Sequence, residues 1–293
     1  MPALQKHQHS EDEVKRIRIP VMAAVAALTL TAGAAEATGR AGGAPAPAPA
    51  PAPRAAAPMD HTGHQGPELV IPAGVSTTVF ASCPAGRQPS GGGGIRSGKG
   101  LFMSGSSPRN NGWEVKFTNK SGAERRGSAF AVCTPQPHTR VAAANPLTVP
   151  AHSQSGISNV RCPEGQSPTG GGWEASSIQV IGMRFSVSGA NYNAVLFNDT
   201  DQTQSFNAVA LCSSAFHETR IGPQITVQPG AEGVATAKCG PGQVTSGGGS
   251  FPSGQAFIGD SRPLPDGTGW RITAENTTGT PQKVTAEATC TTS

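Results

Sequence analysis

Six cysteines in three evenly spaced pairs constrain this chain more than any other feature of its sequence. Cys83 and Cys133, Cys162 and Cys212, and Cys239 and Cys290 lie 50, 50 and 51 positions apart. The first cysteines of the pairs recur after 79 and 77 positions. A fixed period of this kind is the mark of an internal repeat, and other residues fall into the same frame. A glycine triplet begins eight residues after each first cysteine, at Gly91, Gly170 and Gly247. A large aromatic stands 20 residues before each second cysteine (Trp113, Tyr192, Trp270), with an asparagine six residues after it (Asn119, Asn198, Asn276). Alanines precede the second cysteines by two and four positions in all three cases.

Alternation of period two around these marks predicts strands. Trp113, Val115 and Phe117 would share a face, as would Tyr192, Ala194 and Leu196, and Trp270, Ile272 and Ala274. The polar clusters that begin at Asn119, Asn198 and Asn276 predict turns, because their side chains can bond back to the backbone. They also spell the Asn-x-Ser/Thr acceptor for N-glycans, although the turn already accounts for them. The glycine triplets cost backbone entropy and point to close approach of another segment or to a bulge. No helical period is present. The expected fold class is all-β: three tandem disulfide-stapled β modules over 66–141, 142–221 and 222–293, arranged as adjoining beads or as a closed pseudo-threefold body.

Pairing within each module closes three similar loops. The competing scheme joins Cys133 to Cys162, Cys212 to Cys239 and Cys83 to Cys290. In the chain-entropy model a loop of this length contributes on the order of 4 kcal/mol, which matters to modules with little core.

Lys15, Arg16 and Arg18 precede an apolar run from Val21 to Ala32 and small residues around Ala37, the pattern of an export signal over 1–37. The run is short of the roughly 18–20 residues of a spanning helix, and no apolar tail follows Cys290, so no membrane anchor is expected in the mature form. Residues 38–65 read as an Ala/Pro-rich disordered linker. Formal charge is concentrated in the first module. Residues 65–141 carry nine Lys and Arg against three Glu, whereas the other two modules are slightly acidic. Lys116, Lys120, Arg125 and Arg126 suit a polyanion such as a wall polymer or simply a solvated face.

Chemistry is sparse. Gly93 to Lys99 opens like a phosphate-cradling loop, but Gly100 stands where Ser or Thr is needed, so no nucleotide and no other cofactor is expected. Neither a nucleophile elbow nor a His-Glu-x-x-His helix is present. Asp260 and Asp266 are the available carboxylates for a hydrolytic site, with no sign that they converge. His61 and His64, beside Asp60, are weak metal candidates. His138 and His217 each follow a second cysteine by five residues and read as junction residues, with no counterpart after Cys290. Trp113, Tyr192, Trp270 and the unmatched Trp173 are the candidate ligand contacts, since aromatic faces stack on sugar rings. The same rings also suit a thin core.

The opening Cys83-Pro84-Ala85-Gly86 and Cys162-Pro163-Glu164-Gly165, relaxed to Cys239-Gly240-Pro241-Gly242, is followed by three glycines and then by Gly-Trp. It resembles a tandem repeat of exported actinobacterial and bacterial surface proteins with no assigned activity, over about residues 66–293. The resemblance implies export and a repeated module, and it brings no catalytic residues. The expected function is a secreted non-enzymatic binding or structural protein that engages carbohydrate or cell-wall polymer, with no nucleic-acid partner. A secreted inhibitor or toxin-like effector stands second and a hydrolytic enzyme third. Oligomeric state is not legible.

Overall fold

The computed structural model describes residues 60–291. The export segment and the Ala/Pro run lie outside them. The described chain is all-β, with no helix and with antiparallel pairing throughout. In chain order the strands are β1 (Thr62–Gln65), β2 (Leu69–Ile71), β3 (Ser76–Ser82), β4 (Gln88–Arg96), β5 (Leu101–Arg109), β6 (Gly112–Asn119) and β7 (Arg125–Thr134). Next come β8 (Thr139–Ala142), β9 (Leu147–Val149), β10 (Ser153–Gln154), β11 (Ser158–Arg161), β12 (Ser167–Ala175), β13 (Val180–Ser188), β14 (Asn191–Asn198) and β15 (Gln204–Ser213). The last are β16 (His217–Ile221), β17 (Ile225–Val227), β18 (Glu232–Lys238), β19 (Thr245–Ser253), β20 (Ala256–Pro263), β21 (Gly269–Asn276) and β22 (Gln282–Thr291).

The recurrent motifs have local physical causes. In Cys83-Pro84-Ala85-Gly86 the Arg87 N–H returns to the Pro84 carbonyl at 3.1 Å, and the third turn position needs a positive φ, which Gly86 adopts at 76°. Gly165 and Gly242 do the same at 75° and 74°. The asparagines are buried turn organisers. Asn119 Nδ2 donates to the carbonyls of Ile71, Pro72 and Ala123, while its Oδ1 accepts from the Ser121 N–H at 3.0 Å. Asn198 and Asn276 repeat this arrangement. All three are fully buried with their amide N–H groups donated, so the turn explains these residues and no glycan can be carried on them in the folded chain.

Disulfides join Cys83 to Cys133, Cys162 to Cys212 and Cys239 to Cys290, which decides between the two pairing schemes. Each ties the end of β3, β11 or β18 to the strand β7, β15 or β22 in another sheet. Strands β3-β6-β5 continue through β12 into β15 and β8, the step being Ser106 against Trp173. Strands β10-β14-β13 likewise continue into β19, β22 and β16, with Phe185 against Ser250. The remaining sheets are β1-β7-β2 with β4, and β18-β21-β20.

Each glycine of a triplet meets a different neighbour. A Cβ on the first, at Gly91, Gly170 or Gly247, would meet another first glycine, with Cα atoms at 2.8–2.9 Å. A Cβ on the second, at Gly92, Gly171 or Gly248, would enter the ring of Trp113, Tyr192 or Trp270. A Cβ on the third, at Gly93, Gly172 or Gly249, would strike the backbone carbonyl of Ser261, Ser106 or Phe185. The expected bulge is present just before each triplet, where the register shifts at Ser90, Thr169 and Ser246. Bulges re-aim side chains, and these three fully buried hydroxyls form a cycle. Ser90 Oγ donates to the Ser246 carbonyl at 2.9 Å, Ser246 Oγ to Thr169 at 2.9 Å, and Thr169 Oγ1 to Ser90 at 2.8 Å. The glycine strands pair edge to edge with the cysteine strands.

The folded body also begins earlier than the expected linker boundary. Thr62–Gln65 is a strand, with Thr62 opposite Cys133. Thr139 stands opposite Cys212 and Glu218 opposite Cys290 in the same way. The strand after one second cysteine thus covers the next cysteine strand, and β1 supplies the cover that β7 would otherwise lack. Its sequence has no apolar alternation to announce it.

Candidate binding cavity

Strands β5, β13 and β20 open with adjacent apolar pairs, Leu101-Phe102, Val180-Ile181 and Ala256-Phe257. Successive strand residues face opposite ways. The first of each pair enters the main core, and the second enters a separate cluster of Phe102, Ile181, Met183 and Phe257, with Phe197 packed against it. The Phe102 and Phe257 rings meet edge to face at 5.7 Å, and Phe197 tilts against Phe257 at 5.4 Å.

This cluster floors a cavity of about 470 Å³. Its rim comes from the residue after each turn asparagine, Lys120, Asp199 and Thr277, together with Glu275. Lys120 pairs with Asp199 across two segments of the chain, and burial lowers the Lys120 ammonium pKa. Glu275 accepts from Arg96 at 3.1 Å and from the Gly100 N–H at 2.9 Å. The result is an apolar floor with a polar, already paired rim, the usual construction of a small-ligand site.

The sequence candidates lie elsewhere. Trp113, Tyr192 and Trp270 are 0%, 1% and 0% exposed, so none offers a face to a ligand. They are core, held between their own strands and the second glycines. Trp173, expected to be freer, is buried as well and stacks on Phe185 at 4.1 Å. His61 precedes β1 and His64 lies within it, with His64 Nε2 3.0 Å from Thr62 Oγ1. Of the basic residues, Lys120 pairs with Asp199, Arg126 with Glu68 at 3.4 Å, and Arg125 bonds the Lys99 carbonyl.

Two buried carboxyls are strongly shifted. Burial raises Glu287 to about 8 against the pull of the Val187 N–H and Arg184, so it is largely protonated at neutral pH. Burial likewise raises Asp260 to about 6, opposed by Arg262 and Arg271. Asp266, by contrast, is an exposed turn acid held low by the N–H and hydroxyl of Thr268. Neither Glu287 nor Asp260 lines the cavity, and Asp260 and Asp266 do not share one with each other.

What the sequence hid was the apolar pairing at the start of β5, β13 and β20. Two neighbouring apolar residues in a strand mean that both faces are covered, and the pairs stand at the same register, with Leu101, Val180 and Ala256 opposite Asn119, Asn198 and Asn276. No protein-family model and no curated protein matches this chain. Among the described residues no helix is long and apolar enough to cross a membrane, and the three formed disulfides are those of an oxidising compartment.

Proposed function

We propose that the chain is a secreted, non-enzymatic binding or structural protein in which three copies of one module close into a pseudo-threefold body. Its ligand site is then the cavity at the start of β5, β13 and β20. The observation that carries the reading is that this one cavity draws its apolar floor from all three segments, as Phe102, Ile181 and Phe257. The cycle of Ser90, Thr169 and Ser246 supports closure, because each hydroxyl reaches a different segment and the third returns to the first.

The chemistry of the cavity favours carbohydrate. A sugar ring has an apolar C–H face and a polar edge, which match the phenylalanine floor and the Lys120, Asp199 and Thr277 rim. Catalysis has no support here, since the carboxyls with raised pKa lie away from the cavity and its charged rim is engaged in ion pairs. A cavity floored jointly by the three segments implies one such site, replacing the three aromatic sites expected from the repeat.

The test is sedimentation of the full chain with isolated cell-wall glycan. Phe197→Ala and Lys120→Ala, which alter the floor and the rim, are expected to weaken retention about tenfold or more. Trp173→Phe, inside the core, is expected to retain the glycan like the parent. Equal retention by all four proteins, or none by the parent, overturns the assignment.

A further inference from the structure

Three histidines occupy the same place on three strands. His61 precedes the partner of Cys133, His138 the partner of Cys212, and His217 immediately precedes the partner of Cys290. The counterpart that the sequence lacked after Cys290 is therefore supplied from the start of the folded body, by His61.

Two of the three rings, His138 and His217, are oriented for nitrogen ligation. Nδ1 of His138 lies 2.9 Å from the Gln136 carbonyl, and Nδ1 of His217 lies 2.8 Å from the Ala215 carbonyl. A carbonyl oxygen only accepts, so each Nδ1 carries the proton and each Nε2 presents a lone pair. Both Nε2 atoms are buried and make no hydrogen bond, and His217 is 8% exposed. A buried acceptor without a donor is costly, and histidine ligands are commonly held in this way by a carbonyl on the far nitrogen. The rings of His61 and His217 stand 6.1 Å apart at 88°.

We propose that His61, His138 and His217 bind one divalent first-row transition ion, of the zinc or copper class, through one nitrogen of each imidazole. Hard cations such as calcium and magnesium are excluded by the donor set, which contains no oxygen ligand. Among the described residues no three His, Cys, Asp or Glu side chains are gathered for an ion as they stand, so binding must draw the rings inward. With metal–nitrogen bonds of about 2.1 Å, tetrahedral ligation brings ring centres to about 5 Å, which asks His61 and His217 to close by about 1 Å.

Titration of the full chain with Zn²⁺ tests this by calorimetry and by the thermal midpoint. One ion per chain and a rise in midpoint are expected. His138→Ala and His217→Ala should each weaken binding at least tenfold, and His64→Ala should leave it unchanged. Should either alanine variant fail to fold, Cu²⁺ on the parent chain gives the second readout, with pulsed electron resonance expected to count three imidazole nitrogens. Absence of binding at millimolar Zn²⁺, an equal effect of His64→Ala, or fewer than three imidazoles on copper overturns the site.

Discussion

Trp113 and Trp270 each donate their indole N–H to a serine, Ser106 and Ser261, at 2.9 Å. The middle segment has Tyr192 in place of tryptophan and Phe185 in place of that serine, and Phe185 stacks on Trp173. The changes fit one another: losing the indole donor removes the need for the hydroxyl, and the ring that replaces it finds a partner in Trp173. Sequence alone showed Trp173 as unmatched, because the compensating Phe185 lies on the next strand, in another sheet. Glu287 makes the residue-scale prediction. Its folded pKa of about 8 lies above the ordinary 4.5, so the folded state holds a proton that the unfolded chain has released between those values. Its contribution to stability is complete below about pH 4.5 and is lost as pH rises through 8. Glu287→Gln should flatten that decline and raise stability at pH 8 relative to the parent, measured by urea unfolding across pH. A parent-like slope in the variant would contradict the buried neutral acid.

At the scale of elements, the strands were legible because period-two alternation recurs around Trp113, Tyr192 and Trp270, and the bulge was one of two readings that the glycines left open. The roles of the individual glycines were not, since Gly91 and Gly93 face segments far off in sequence and only Gly92 faces a ring nearby in the chain, Trp113. The cavity was hidden for the same reason: Phe102, Ile181 and Phe257 form one floor only after strands from three segments meet. Close approach gives a graded expectation for substitution. Gly171→Ala would drive a methyl into Tyr192 and should cost about 1–3 kcal/mol, the range of overpacked cores. Gly122→Ala, whose methyl would meet nothing within 4 Å, should change stability by less than about 0.5 kcal/mol. Thermal unfolding of the two variants checks the contrast, and equal midpoints would refute the close packing.

At the scale of the molecule, β4 and β20 meet without a regular ladder between them, and there a buried cation bridges the segments. Arg96, with its side chain 2% exposed, pairs with Glu232 and Glu275 and also donates to the Leu101 carbonyl at 2.9 Å. Removing it strands two carboxylates, one of them 30% exposed and so partly relieved by water. Arg96→Ala should therefore cost about 2–3 kcal/mol, below the full loss of a dry pair. A urea midpoint within experimental scatter of the parent would mean that this seam contributes little to the body.

The most direct test of the account is a nuclear magnetic resonance titration of the full chain with soluble oligosaccharides from cell-wall glycan, following the aromatic side chains. Saturation at one ligand per chain is expected, with shifts concentrated on the rings of Phe102, Phe197 and Phe257 and little change at Trp113, Tyr192 and Trp270. Shifts centred on other surfaces, three ligands per chain, or a spectrum unchanged at millimolar glycan would contradict it.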